Sequence, residues 1–263
     1  MERIISYDKP NDRLVFLHVA PDQTYWDDLW STTLDRSHIK RGDRFVTAET
    51  RRVLPVGSRV LDAGCGIAAT VSGLHDAGFR AEGIDYAEST VAAVNRVAPE
   101  LTVKLGDVRA LNYEDGELDG LWSLGVIEHF FDGFDPLIIE TRRVLRPSGY
   151  LFLTVPTISP LKSWKIDRGV LPPYKTEDRD RFFQFAFRRE HVISEVERAG
   201  FRLLRDYGRS GAFGLTEDAP AFTKWLALKP DSTSLPARAW WRLADHVLTP
   251  LSYHTRFFLM QKI

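Results

Sequence analysis

The chain has 263 residues, 44% of them hydrophobic and 27% charged, with 35 basic against 36 acidic side chains. That is enough chain for a sizeable core in one domain, and the composition is not that of a disordered, fibrous or membrane-spanning protein. A net charge of −1 removes the accumulated positive potential on which nucleic-acid binding relies, and the single cysteine, Cys65, excludes an internal disulfide or a thiolate-rich zinc site.

The first thirteen residues carry Glu2, Arg3, Asp8, Lys9, Asp12 and Arg13, and the early apolar run LVFLHVA is too short and interrupted for a signal peptide. With no transmembrane stretch either, the expectation is a cytoplasmic protein in a reducing compartment. Residues 1–55 read as a helical arm. Tyr25, Trp26, Leu29, Trp30 and Leu34 recur at helical spacing, and a second helix from about Phe45 to Leu54 stops at Pro55 and Gly57.

From Ser58 onward strands and helices alternate. SRVLDA, FRAEGID, LTVKLGD, GELDGLWSLG and GYLFLTVP read as strands, separated by the helical stretches AATVSGLHDAG, STVAAVNRV and PLIIETRRVL. Such alternation implies parallel pairing with right-handed crossovers. A helix near Glu190–Gly200 and the strands FRLLRDYG and HTRFFLMQKI complete the pattern. The expected fold is therefore a doubly wound, Rossmann-like, mostly parallel seven-stranded α/β sheet in one domain. Residues 56–156 would be its core, 157–189 a cap insertion after the fifth strand, and 190–263 C-terminal helices and final strands.

The insertion is rich in proline, charge and aromatics, and should lie over the ligand edge of the sheet. The Trp-rich stretch ARAWWRLADHVLTPL reads as a helix packed on the sheet or the insertion, with an interfacial helix touching lipid or a partner chain as the alternative.

At RVLDAGCGIAAT a buried strand runs into a tight glycine turn and a helix start. GCGIAA satisfies G-x-G-x-x-A, and Asp85 follows about 20 residues later, where an acid would hold a ribose. Asp62, two residues before Gly64, would repel a pyrophosphate and favour a ligand with ammonium and sulfonium charge. Asp62, Asp85 and Asp107 close three successive strands, so they should converge on the crevice at the carboxyl ends of the sheet.

VLDAGCGIA, GIDYAES, LGDVRAL, LDGLWSLGVIEHF and RVLRPSGYLFLTVP together resemble the ordered motifs of class I S-adenosylmethionine-dependent methyltransferases, in particular the UbiE-like and type 11 small-molecule enzymes. The resemblance implies S-adenosylmethionine as cofactor, with its methionine end held by the loop Asp62, Ala63, Gly64, Cys65 and Gly66. It further implies that Asp85 takes the ribose hydroxyls with Tyr86 or Ala87 near the adenine, that Asp107 accepts from the adenine amino group with Val108 beside the ring, and that Leu124 and Gly125 lie beneath. Where the family shows a third glycine this chain has Ala68, whose methyl group is small enough for cofactor binding to be expected to survive, with a weaker or slightly shifted site as the alternative. Cys65 reads as a small loop residue and not as a nucleophile.

Glu128 and His129 follow the fourth strand in GVIEHF and are the candidate catalytic residues. Two readings stand for the pair. In one, His129 is the general base for a hydroxyl acceptor; in the other, Glu128 caps the next segment and His129 shapes the pocket floor. Relatives that hold a divalent cation through two glutamates and a histidine have an acid where Gly125 stands here, and no other histidine spacing suggests a ligand set, so no metal site is expected.

Tyr25, Trp26 and Trp30 of the arm, and Trp164, Tyr174 and Phe183 of the insertion, are the candidate substrate-binding residues. The function expected is methyl transfer to a small-molecule acceptor, with a hydroxyl oxygen first among the acceptor atoms. The alternatives are a catalytically silent cofactor-binding scaffold and an NAD-dependent oxidoreductase. No nucleic-acid partner is expected, and oligomeric state is not legible.

Overall fold

The computed structural model describes residues 4–31, 34, 39, 44–226 and 234–263. Its centre is a seven-stranded sheet built from β3 (Arg59–Ala63), β4 (Arg80–Asp85), β5 (Thr102–Leu105), β6 (Leu118–Leu124), β7 (Leu145–Pro156), β9 (Phe201–Arg209) and β10 (Thr255–Lys262), in the order β5-β4-β3-β6-β7-β10-β9. Only β10 runs against its neighbours β7 and β9. The strand order reverses at β3, which has β4 on one side and β6 on the other. A crevice therefore opens beyond the carboxyl end of β3, where ligands of such sheets bind.

The two faces of the sheet follow the period-two alternation of strands. Leu151, Leu153 and Val155 of β7 pack one way with Leu61, Leu121 and Phe258. Phe152 packs the other way with Val60, Trp122, Phe257 and Leu259. Trp122 is fully buried, stacks on Phe152 with ring centres 4.5 Å apart, and donates from Nε1 to Thr50 Oγ1 at 2.9 Å. The donor at the edge of an otherwise apolar ring is thus satisfied, as burial of an indole requires. Thr50 belongs to helix α2 (Arg44–Val53), which this bond ties to the sheet.

The N-terminal segment departs from an all-helical arm. It opens with an antiparallel hairpin, β1 (Ile4–Asp8) and β2 (Arg13–Leu17), before helix α1 (Gln23–Ser31). The hairpin is explained by its β-branched and aromatic run and by Asp12, which takes φ 46° in the turn. β2 pairs in turn with β8 (Phe182–Ala186) of the insertion, so the segment expected as an irregular cap contributes the third strand of a small sheet, after helix α6 (Pro160–Asp167) and a 3-10 turn. Every residue of β2 from Leu14 to Leu17 is buried, Leu14 and Phe16 against Ile158 and Ala186, Val15 and Leu17 against the main core. The hairpin and the insertion therefore share one small sheet.

Helices α3 (Ala69–Asp76), α4 (Glu88–Val97), α5 (Asp135–Val144) and α7 (Arg189–Arg198) supply the crossovers. Between β9 and β10 lie α8 (Gly211–Asp218), α9 (Pro220–Trp225) and α10 (Leu235–Ser252). A Cβ at Gly211 or Gly214 would run into the backbone of Thr249 or Ser252, so α8 and α10 touch at a distance only glycine permits. Among the described residues no helix is long and apolar enough to cross a membrane.

Candidate functional site

A cavity of about 430 Å³ lies at the switch point. One wall is the turn after β3, where Gly64 has φ 87° and Gly66 φ 48°. A Cβ on Gly64 would come within 2.6 Å of the Val126 side chain, so space as well as dihedral selects glycine there. Ala68, in the place of the third glycine, takes φ 59° at the start of α3, a left-handed conformation that costs an alanine more than a glycine.

The N–H groups of this turn are already committed. Those of Gly64 and Cys65 both donate to the Ile84 carbonyl, at 2.8 and 3.0 Å, and that of Gly66 donates to Asp85 Oδ2 at 2.7 Å. A phosphate cradle needs such donors aimed at the ligand. Here they are spent on β4 and its terminal acid.

Asp85 is buried, and its other oxygen accepts from the Ala87 N–H at 3.0 Å, so it staples the first two loops of the crevice together. An ionised carboxylate offers about four acceptor positions, and Asp85 also lines the cavity. Asp62 is buried as well, and its Oδ1 has no hydrogen-bond partner among the described residues. Burial, and then the nearby charge of Asp85, push the Asp62 carboxyl well above its ordinary pKa. An orphaned buried acceptor on the wall of a cavity is a place for a cation or a donor from a ligand.

The same shift has a consequence for the ligand-free protein. Folded Asp62 keeps its proton at pH values where the unfolded chain has released it, so from about pH 4 upward, toward the raised pKa, its contribution makes stability fall as pH rises. Asp62→Asn removes this titration. It is expected to raise the melting temperature of the ligand-free protein at neutral pH by a few degrees relative to wild type, and less at pH 4, as a pair of thermal melts would show.

The far end of the cavity is formed by Asp107, Val108, Arg109 and Phe130. Arg109 grips Asp107 with Nε and Nη2, the latter at 2.6 Å, and its own N–H donates to Asp107 Oδ1 at 2.8 Å. These bonds hold the Asp107 carboxyl below its usual range. Arg109 was not singled out from the sequence, although DVRAL sets a cation two residues after the acid. The guanidinium lies 5.4 Å from the Phe130 ring centre.

Leu124, Gly125 and Val126 make the floor, and α1 makes the roof through Trp26 and Trp30, with Pro21 before it. The Pro21 carbonyl accepts from Trp26 Nε1 at 3.1 Å and from Tyr86 OH at 3.0 Å. Burial, then the Asp85 charge, push the Tyr86 phenol up to about 12, so it remains a donor. Asp27 of α1 accepts from the Thr90 backbone N–H at 3.0 Å and caps α4, whose own N-cap, Ala87, has no side chain to do so.

His129 closes the cavity from the 3-10 turn Ile127–His129. Its Nδ1 is 2.7 Å from the Phe183 carbonyl oxygen, which can only accept, so Nδ1 carries a hydrogen and, in the neutral ring, Nε2 the lone pair. The imidazole stands edge-on to Trp26 and Phe183, each 5.1 Å away between ring centres, and Tyr25 packs on Phe183 at 5.6 Å.

Several expected site residues lie elsewhere. Glu128 does not line the cavity; the same tight turn that presents His129 sends Ile127 and Glu128 inward, and burial pushes the Glu128 carboxyl up to about 8. Ala63 is buried within β3. Trp164 is half exposed on α6, away from the cavity wall, because its helix packs toward α10. Tyr174 packs on the main core and pairs through its N–H with the Tyr7 carbonyl at 2.9 Å. Cys65 does line the cavity, with its thiol pushed well up by burial and by Asp62 and Asp85, so it stays protonated. Among the described residues no cluster of three or more His, Cys, Asp or Glu could hold a metal ion.

The comparisons with known proteins fall on this architecture. Residues 61–153 match the methyltransferase domain family of type 11. A probable S-adenosylmethionine-dependent methyltransferase of Mycolicibacterium smegmatis is 29% identical over 164 residues, which are 61% of this chain and 58% of that protein. The 2-methyl-6-phytyl-1,4-hydroquinone methyltransferase of Synechocystis is 36% identical over 102 residues, 37% of this chain and 32% of that protein. The chain thus spans less than two thirds of the length of either relative. Among solved structures, the [4+2]-cyclase SpnF superposes with a TM-score of 0.57 at 18% identity, covering 93% of this chain and 98% of its own. At that identity the likeness is one of fold, and a neighbour named as a cyclase shows that the fold alone does not fix the reaction.

Proposed function

Since the chain belongs to the class I S-adenosylmethionine-dependent methyltransferases, with S-adenosylmethionine as cofactor, we propose that it transfers a methyl group to a hydroxyl oxygen of a small-molecule acceptor. The observation that carries the cofactor half is the orphaned, buried Asp62 Oδ1 on the cavity wall, beside a turn whose N–H groups are not offered to a phosphate. The residues present fit the group. Asp62 suits a cationic amino-acid end, Asp85 has acceptor positions left for two vicinal hydroxyls, and Val108, Phe130 and Leu124 are apolar surfaces for a flat base.

Bound there, S-adenosylmethionine supplies a methyl group on a positively charged sulfur, which is already a strong electrophile. What remains for the protein is position, exclusion of water and removal of one proton. Trp26 and Trp30 cover the cavity, and Phe183 and Trp26 fix the His129 ring between them. The Phe183 carbonyl holds the tautomer in which Nε2 is basic, so Nε2 takes the acceptor's hydroxyl proton as the new oxygen–carbon bond forms. In-line placement supplies the larger share of the rate, since effective molarity is worth up to ~7–11 kcal/mol. The acceptor in the name of the Synechocystis relative, a phytyl hydroquinone, carries phenolic hydroxyls on a ring that also bears an apolar chain. An amphiphilic phenol or quinol is accordingly the acceptor class to try first.

The test is incubation with methyl-labelled S-adenosylmethionine and a panel of phenols, quinols, amines and carbon acids, with the product's methylated atom located by mass spectrometry. O-Methyl ethers support the proposal. Methylation confined to nitrogen or carbon would overturn the oxygen assignment and leave the cofactor site standing.

A further inference from the structure

Among the described residues, helix α10 presents an unpartnered face with a definite pattern. Its packed side, Trp241, Ala244 and Leu248, meets Ala212 of α8 and Leu226. On the outer side, residues four apart form a continuous apolar row, Leu235, Ala239, Leu243, Val247 and Leu251, along the whole helix, about 27 Å at the ordinary helical rise. The four large members of that row are between 49% and 75% exposed. Single exposed leucines need no explanation, but an unbroken row of them on one helix does.

Beside the apolar row runs a second row, Arg238, Arg242 and His246, also exposed, and on the other flank Trp240 is partly exposed. The one acid of the helix, Asp245, is turned back to accept from the Ala212 N–H at 2.9 Å and cap α8. The outer face is therefore apolar and cationic, with no negative charge of its own. A second copy of the chain fits this badly, because a two-fold contact sets the face against itself and brings arginines to arginines. A surface that is apolar below and anionic above fits it well: the apolar row enters the acyl boundary, the guanidinium groups meet headgroup phosphates, and the indole sits at the interface.

We propose that α10 docks the protein reversibly on an anionic phospholipid bilayer. The proposal goes beyond methyl transfer and does not depend on it, since the helix lies outside the cavity and docking needs no cofactor. Docking of this kind would let the enzyme meet an amphiphilic acceptor at the surface in which it is dissolved.

The test is co-sedimentation of the full chain, without cofactor, with vesicles of phosphatidylcholine alone and of phosphatidylcholine with phosphatidylglycerol. The expected result is binding to the anionic vesicles only, weakened by added salt. Arg238→Gln/Arg242→Gln should bind on the order of thirty-fold more weakly, from about fivefold per arginine near an anionic surface. Leu243→Glu/Val247→Glu should stay in the supernatant while melting as the wild type does, because both sites are solvent-facing. Anionic vesicles that leave the wild type in solution, or that bind both variants equally well, would overturn the proposal. A solution dimer that Leu243→Glu/Val247→Glu dissociates would overturn it too, by giving the face to a second copy.

Discussion

Asp85→Ala is expected to raise the dissociation constant for S-adenosylmethionine by a factor of about a hundred or more. The carboxylate holds the glycine turn through the Gly66 N–H and the next loop through the Ala87 N–H, and it faces the cavity with acceptor positions to spare. Removal would cost the bonds to both ribose hydroxyls. Hydrogen bonds to a charged group contribute about 1.5–3 kcal/mol each, so two correspond to roughly 10²–10⁴ in affinity. The Gly66 N–H would also lose its partner and the turn its shape. Calorimetric titration of the variant measures the effect. Affinity within about threefold of wild type would show that Asp85 is a structural staple and nothing more.

His129→Gln is expected to lower kcat for a hydroxyl acceptor by about 10²–10⁴, the usual worth of a positioned general base, with affinity for S-adenosylmethionine little changed. Because the Phe183 carbonyl sets the tautomer, a double substitution of Phe183 and Trp26 that loosens the ring is expected to lower kcat as well. A His129→Gln enzyme with unaltered kcat would leave the histidine as a wall of the pocket.

The sheet was legible because its strands obey strong local rules. β3 to β7 are short apolar runs between glycine turns and amphipathic helices, and their order follows from right-handed crossovers. The hairpin was harder to see, since Ile4–Leu17 finds its third strand, β8, more than 160 residues away, and only that pairing explains why RLVFL is buried on both faces. At the site, Asp62, Asp85 and Asp107 lie where the ends of successive strands place them, which sequence order alone conveys. Glu128 was not legible, because a single 3-10 turn decides which of two adjacent side chains meets the cavity, and no period marks it. Arg109 escaped for a related reason: the fork it makes on Asp107 depends on a turn geometry that the spelling DVR does not declare. Trp164 and Tyr174 show that an aromatic-rich insertion says where pocket walls could come from, and not which rings face inward.

The central claim is that the acid-lined cavity is built for the methyl donor. Calorimetric titration of the wild-type chain with S-adenosylmethionine, its demethylated product and NAD, at two pH values, tests it most directly. A cation settling against Asp62 favours the ionised carboxyl, whose pKa burial has raised, so binding should release a proton and tighten as pH rises toward that pKa. Saturation with either sulfur ligand and not with NAD, with that pH trend for both because each carries the ammonium that Asp62 would meet, is the predicted result. Binding of NAD alone, or of none of the three, would contradict the claim and leave the fold without the cofactor its crevice was taken to hold.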